Sequence, residues 1–379
     1  MPSSPNGKVV VHVFGRTDVG RTREHNEDSF VVADLSTDNA TLQPEVRTHL
    51  AGAKGTLFMV ADGMGGAAAG EIASAMATDL VLNELRVHWV AAPESSPEAF
   101  AKALKQAAKT ANTQINQFAL GHPEYRGMGT TATIAGLLGD TLFLAQVGDS
   151  RGYLIRAGRA IQITKDQSLM QKLVEAGELT EEEAEHSDRR NIILQALGPE
   201  ASIKVDLTHQ QVRRDDMLVL CSDGLSTQIG RDEIAHIVST EPDLKAACKR
   251  LIDQANENGG PDNITAIIAR FDGEGLAAPG VDDVVGHRVF PLPDGPATPP
   301  MPLDRLITAT QPIPNMERPT PVRDTRKTVE DVPPQPPPPT RPRPAVAPRS
   351  RGVTTIVIAG LLLLVVGSAW YLWSTIRSH

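Results

Sequence analysis

The stretch Thr131-Ala132-Thr133-Ile134-Ala135-Gly136-Leu137-Leu138-Gly139-Asp140-Thr141-Leu142-Phe143-Leu144-Ala145-Gln146-Val147 reads as two apolar strands joined by the dipeptide Gly139-Asp140. A turn that short joins antiparallel neighbours, because a parallel return needs a crossover of a dozen or more residues. The same texture continues outward on both sides. Val9–Val13, Asp28–Ala33 and Thr56–Ala61 precede it; Gly152–Arg156, Ala160–Ile163, Met217–Ser222 and Ile264–Phe271 follow, with Ala157-Gly158 as another short turn. A helix is expected from near Gly70, with Ile72, Met76 and Leu80 four apart. A second has Ser96 as N-cap, Pro97 as first helical residue and a stripe of Phe100, Leu104, Ala107, Ala111, Ile115 and Phe118. A third opens at Pro242, carries Cys248, Leu251, Ile252 and Ala255, and stops at Gly259-Gly260. Strands that pair with one another, covered by amphipathic helices, predict an α+β fold: a β-sandwich of antiparallel sheets over residues 8–272. The segment Leu35 to Gly55 is longer than a hairpin needs and is expected to be a surface loop.

Composition bounds the function. The formal charge of −9 argues against a nucleic-acid partner and suits a chain that gathers carboxylates around cations. Aromatics make up 4% of the chain, so aliphatics and alanine must fill the core. Cys221 and Cys248 have no zinc spacing and read as small core residues in a reducing compartment. The polar Met1–Lys8 and the short, His12-interrupted run Val9–Phe14 do not make a signal peptide. The globular part is therefore expected in the cytosol.

Beyond 272 the chain changes character. Residues 273–350 are rich in proline, up to Pro336-Pro337-Pro338-Pro339, and are expected to form a disordered linker. Residues 352–373 carry no charge over about 20 residues, the length of a bilayer-spanning helix. Trp370, Tyr371 and Trp373 gather at the end of this run, as interfacial rings do. Arg341, Arg343, Arg349 and Arg351 precede the span and Arg377 follows it. That charge bias predicts a single-pass anchor with the folded domain on the cytosolic side.

Acidic residues recur where apolar strands stop: Glu27-Asp28, Asp62, Asp149, Asp223 and Asp262. Singly, an Asp-Gly after a strand is more often a turn than a ligand. Repeated at several strand ends beside glycines, such residues make an oxygen-only set suited to magnesium or manganese. Two such ions can acidify a water and hold the oxygens of a displacement at phosphorus. Arg23, five residues before Asp28, is placed to meet a phosphate with a forked hydrogen bond.

In order, Arg23-Glu24-His25-Asn26-Glu27-Asp28, Asp62-Gly63-Met64-Gly65-Gly66, Gly129-Thr130-Thr131-Ala132, Gly148-Asp149-Ser150-Arg151, Ser222-Asp223-Gly224-Leu225 and Asp262-Asn263-Ile264-Thr265 resemble the metal-dependent type-2C protein serine/threonine phosphatases, bacterial branch. The resemblance implies two stacked antiparallel sheets flanked by helix pairs, with a dinuclear site at one end. It implies that Asp62 bridges two Mn2+ or Mg2+ ions, that the Gly63 carbonyl ligates one of them, and that Asp223 and Asp262 complete the other. Glu27, Asp28 and Thr131 would hold waters on the ions. Asp149, with Asp223, would hold a third, weaker ion, and Arg23 would bind the substrate phosphate. The implied reaction is direct attack by an ion-activated water on phosphoserine or phosphothreonine in proteins, without a phosphoenzyme. Serine/threonine kinases and their targets would be its partners.

Gln167 to Gly198 resembles the family's flap, with Ser187-Asp188 where His-Pro often stands. Met64 occupies the place of a histidine proposed as general acid in eukaryotic members. Methionine cannot donate a proton, so a water on the ions becomes the expected acid. Two other functions stay open from sequence alone. One is a sensor that keeps the fold without turnover; the other is an anchor whose prolines recruit partner domains.

Overall fold

The Gly139-Asp140 turn closes the expected hairpin, with Leu138 paired to Thr141 and Ala132 to Val147. Gly139 takes φ of 60°, the left-handed region that glycine reaches without cost. The computed structural model describes residues 7–37, 48–65, 69–187, 189–280 and 283–292. Along them run β1 (Val10–Asp18), β2 (Asp28–Asp34), β3 (Thr48–Leu50), β4 (Thr56–Met64), α1 (Ala69–Leu85), α2 (Pro97–Gly121), β5 (Gly129–Thr130), β6 (Ala132–Leu138), β7 (Thr141–Val147), β8 (Arg151–Arg156), β9 (Arg159–Gln162), α3 (Leu169–Glu175), α4 (Glu181–Glu185), β10 (Asp206–Gln211), β11 (Met217–Cys221), α5 (Asp223–Ser226), α6 (Arg231–Thr240), α7 (Leu244–Glu257) and β12 (Ile264–Asp272).

The strands form two antiparallel sheets, ordered β3-β1-β12-β11-β8-β9 and β10-β7-β6-β4-β2, with β5 pairing the end of β4. Their strands alternate between two buried faces. In β4, Leu57, Met59 and Ala61 point at α1 and α2, while Phe58 and Val60 point at the opposite sheet. In β11, Leu218 and Leu220 face that interior, while Val219 and Cys221 meet α6 and α7. Burial on both faces is why these strands read as unbroken apolar runs.

The helices follow their caps. Ser96 accepts the Ala99 N–H at 3.2 Å and Pro97 opens α2. The helix expected from Pro242 begins two residues later, with Asp243 as N-cap. In α1 the fully buried face is Ala73, Ala77 and Val81, while Ile72, Met76 and Leu80 flank it, partly buried. Small side chains let this helix lie close on the sheet, so the larger ones move to its margins.

Two expectations about chain organisation are corrected. Residues 273–280 and 283–292, expected in the linker, pack on the domain. Leu276 is fully buried, and the ring of Phe290 meets that of Phe143 edge-on at 5.2 Å. His209 N–H donates to Arg288 O and Phe290 N–H to Leu207 O, both at 2.9 Å. This strap shields β10, an edge strand whose bare backbone would otherwise invite pairing. Its apolar anchors are what a disordered linker lacks. The segment 35–55 is likewise more than a surface loop: Leu35 is buried and Thr48–Leu50 pairs with β1. The expected proline-rich stretch from 293 and the span 352–373 lie outside the described residues. Among those described, no helix is long and apolar enough to cross a membrane.

One charged pair is buried at the end of β8 and the start of β11. Arg156 Nε and one terminal nitrogen donate to the two oxygens of Asp216 at 2.9 and 2.6 Å. The side chains are 8% and 1% exposed. Burial pushes the Asp216 carboxyl up, and the bonds from Arg156 and the Arg213 N–H pull it back.

Candidate metal centre

The apolar stripes that fill the space between the sheets end in polar groups at one rim of the sandwich. Two residues beyond Val60 on the same face stands Asp62; the Phe30 and Val32 stripe of β2 leads to Asp28. Leu218 and Leu220 lead to Ser222, and Ile267 leads to Thr265. Asp28 and Asp62 are directly opposed across β2 and β4. Like charges so placed repel, so this rim must take up cations or protons.

Asp28 is bound from the other sheet: Ser222 Oγ donates to its Oδ2 at 2.7 Å and Thr265 Oγ1 at 2.6 Å. Asp62 is held through its backbone. Its N–H donates to Thr131 Oγ1 at 2.9 Å, and its carbonyl accepts from Thr131 N–H at 2.8 Å and Thr130 Oγ1 at 2.9 Å. The Thr131 hydroxyl, expected to hold a water, is thus engaged by Asp62 and by Ser150 Oγ at 2.8 Å. Its visible work is to fix Asp62. Gly63 lies so close to neighbouring backbone that a Cβ there would sit 2.2 Å from Gly70 O and 2.5 Å from Glu27 O. Any larger residue would push Glu27 and the start of α1 away.

Asp223 opens α5 directly after β11. Burial and the neighbouring Asp262 charge push its carboxyl above the usual range. Asp262 accepts the Asn263 N–H on Oδ1 and Arg23 on Oδ2, each at 2.8 Å. Asp149 is buried, and its Oδ1 has no hydrogen-bond partner among the described residues. Such an orphaned acceptor costs free energy unless a cation or water meets it.

The electrostatics say that these five aspartates share one space. Burial, then the charges of Asp28, Asp223, Asp149 and Asp262, hold Asp62 well above the usual carboxylate range. Burial and the Asp223 charge push Asp149 up to about 8. Burial pushes Asp28 up to about 7 against the bonds from Thr265 and Ser222. Asp62 and Asp223 keep some exposed surface although surrounded by protein, as residues on the floor of an open cleft do. Glu27 is half-buried beside them, and burial raises its carboxyl too. Arg23 stands at the rim, 49% exposed.

Among the described residues, no three His, Cys, Asp or Glu side chains are gathered tightly enough to hold an ion by themselves. The Arg23–Asp262 pair occupies an oxygen that a ligand would need. A cation here would need to displace Arg23 and to draw further oxygens from backbone and water. The donor set is all oxygen and its carboxyls are charge-crowded, so it fits hard divalent ions.

A pH dependence follows. Each raised carboxyl binds a proton in the folded, metal-free state that the unfolded chain releases above about pH 4. The stability so gained is complete below that pH and is lost as pH climbs through about 7 for Asp28 and 8 for Asp149. Metal-free domain should therefore melt at lower temperature at pH 8 than at pH 6. Manganese should remove the difference by replacing the protons. Calorimetry that found metal-free melting rising over this range would refute the crowding.

Sequence reasoning passed over the residues that aim these groups. Asn263, 4% exposed, donates to Val19 O and His25 O at 2.9 Å and accepts the Glu27 N–H at 2.8 Å, pinning the loop that carries Arg23. Arg151 grips Asp166 through Nε and a terminal nitrogen and leaves a fixed positive charge near Asp149. Both lie inside quoted motifs, but no spacing distinguishes an aiming residue from a ligand. The expected flap is a lobe with its own small core of Leu169, Met170 and Ala184. Its ends are zipped by Leu169 N–H to Ile192 O at 2.9 Å and Leu194 N–H to Gln167 O at 2.7 Å. Asp188 lies outside the described residues.

Comparison with known proteins agrees with this geometry. A family profile described as Protein phosphatase 2C matches residues 39–269. The serine/threonine phosphatase stp of Listeria welshimeri is 36% identical over 258 residues, covering 68% of this chain and 95% of that protein. The serine/threonine protein phosphatase PstP of Mycobacterium tuberculosis is 37% identical over 262 residues, 69% of this chain but 45% of the relative. Among solved structures, an S. agalactiae serine/threonine phosphatase superposes with a TM-score of 0.59 at 32% identity, covering 68% of this chain and 98% of that one. The catalytic domain of PstP in complex with two manganese ions does so with a TM-score of 0.56 at 34% identity, covering 70% and 99%.

Proposed function

Because this chain belongs to the protein phosphatase 2C family and is a metal-dependent protein serine/threonine phosphatase of the bacterial type, we propose a role for each residue at the rim. The observation that carries the assignment is the convergence of Asp28, Asp62, Asp149, Asp223 and Asp262 where the interior stripes of both sheets end. Asp62, the Gly63 carbonyl, Asp223 and Asp262 would together hold two divalent ions, Mn2+ or Mg2+. Glu27 and Asp28 hold waters around them. Asp149 and Asp223 take a third, weaker ion. When bound, such ions would supply an acidified water and positive charge for the phosphoryl oxygens.

The chain's own residues bind and orient. Asp28 is held in place by hydrogen bonds from Ser222 and Thr265. Arg23 leaves Asp262 to clamp two phosphate oxygens, and the Asn263 clamp on its loop keeps it in reach. Losing a charged hydrogen bond costs about 1.5–3 kcal/mol. Arg23→Ala should therefore lower kcat/KM for a phosphothreonine peptide roughly 10- to 100-fold. A loss under threefold would remove Arg23 from phosphate binding. The flap beside the cleft sets which flanking sequences are accepted. Phosphate release from that peptide, dependent on added manganese and abolished by a chelator, tests the whole assignment.

The wider setting is part of the same reading. Residues 352–373 anchor the enzyme in the cytoplasmic membrane, with residues 293–350 as the tether and the domain in the cytosol. Substrates are then serine/threonine kinases and their targets within the tether's reach. Full-length protein should sediment with membranes, and deletion of 352–379 should release it with peptide hydrolysis unchanged. Sedimentation of the deleted form with membranes would contradict the anchor.

A further inference from the structure

Gln167 is 7% exposed and every polar group it has is engaged. Its backbone N–H donates to Gly148 O at 2.9 Å, while its Oε1 accepts the Gly148 N–H at 3.0 Å. Its Nε2 faces three oxygens: Asp206 Oδ2 at 3.0 Å, Lys204 O at 3.3 Å and Gln146 O at 3.4 Å. Its carbonyl accepts the Leu194 N–H at 2.7 Å. One residue thus pairs with both backbone groups of Gly148, the residue before Asp149, and ties them to the edge strand β10 and to the far end of the 167–198 lobe.

Gly148 is pressed from the opposite side. It takes φ of 98°, and a Cβ on it would lie 2.7 Å from Thr131 Cγ2. The Asp149 carboxylate has an oxygen with no partner among the described residues, so hydrogen bonds do not fully aim it. Its direction is set by the backbone at 148, and that backbone is set by Thr131 on one side and Gln167 on the other. Gln146 Nε2 supports the same carbonyl of Gly148 at 3.1 Å.

We propose that Gln167 is a positioning residue for Asp149: its carboxamide, oriented by Asp206, holds the Gly148–Asp149 backbone so that the Asp149 carboxylate can bind a divalent cation. The proposal rests on the reading of Asp149 as a cation ligand. It adds a specific polarity. The Gln167 oxygen must face the Gly148 N–H and the nitrogen must face Asp206. A carboxamide satisfies both, whereas a carboxylate of the same shape puts an oxygen against the Asp206 carboxylate.

The test is Mn2+ binding by titration calorimetry on the full chain, with four variants. Wild type should show two tight sites and one weaker one, and Asp149→Asn should lose the weaker one. Gln167→Glu should weaken that site about 10- to 100-fold, the usual cost of disturbing a residue behind a ligand. The two tight sites should be unchanged, which also shows that the variant is folded. Gln167→Glu with Asp206→Asn should recover most of the affinity, because the amide introduced at 206 can donate to the carboxylate introduced at 167. Gln167→Ala should match Gln167→Glu alone. An unchanged weak site in Gln167→Glu, while Asp149→Asn abolishes it, overturns the proposal alone. A weak site untouched by Asp149→Asn overturns the proposal and the reading beneath it. Equal weakening of all three sites, without recovery in the double variant, shows Gln167 to be merely structural and also overturns it.

Discussion

Asp62→Asn should lower turnover of a phosphothreonine peptide by at least about 10³-fold, some 4 kcal/mol of transition-state stabilisation, while the protein folds and melts at a higher temperature without metal. Both halves have one cause. Asp62 lies among Asp28, Asp223, Asp149 and Asp262, whose charges together with burial hold its carboxyl far above its usual range. Asparagine keeps the shape and the backbone bonds to Thr130 and Thr131, and it is neutral without having to take up a proton on folding. The apo fold is relieved, but the proposed metal ligand is gone. Stability lost to crowding is characteristic of a functional site. Activity within tenfold of wild type would detach Asp62 from catalysis, and an unchanged or lowered apo melting temperature would refute the crowding.

Arg156→Ala should cost about 3–5 kcal/mol of folding stability, the usual loss when one partner of a buried ion pair is removed. Asp216 would remain 1% exposed without its counter-charge, and Gln211 O would lose the Arg156 bond at 2.9 Å. The pair sits at the end of β8 and β11 opposite to Arg151 and Cys221, where the carboxylates gather. The variant that remains folded should therefore keep its kcat. Urea unfolding measures the loss, and adding Asp216→Asn should recover part of it by removing the orphaned charge. A loss below 1 kcal/mol would mean that water enters the pair and that it is not a closed contact.

The parts of the fold legible in the sequence were those buried on two faces. β4, β6, β7, β11 and β12 are unbroken apolar runs because helices cover one side and the other sheet covers the second. Their ends were legible too, since an aspartate after such a run is conspicuous. β10, whose sequence is Asp-Leu-Thr-His-Gln-Gln, was not. It is an edge strand, and its missing neighbour is supplied by residues 288–290 from beyond the expected domain boundary. That pairing is non-local, and no window over either segment contains it. β3 escaped for the same reason, a short strand whose identity comes from β1. In α6, Ile234, Ile237 and Val238 have helical spacing, but the segment is short and its N-cap, Gly230, makes no side-chain bond.

The site divided along a similar line. Carboxylates announce themselves by type and place, and the charges of Asp28, Asp149, Asp223 and Asp262 all act on Asp62. What positions them does not announce itself. Ser222 and Thr265 reach Asp28 across the sandwich, from residues nearly two hundred or more positions away. Gln167 works through a glycine, and Asn263 through three backbone groups. These are ordinary polar residues whose function is a distance.

The proposed catalysis requires the carboxylates of both sheets to hold a pair of ions together. Manganese anomalous scattering from crystals of residues 1–292, grown with Mn2+, measures this directly. Two adjacent peaks, each in contact with Asp62 and the second also with Asp223 and Asp262, are the predicted result. Peaks that avoid Asp62, or a single ion held by Asp262 alone with Arg23 still paired to it, would contradict it.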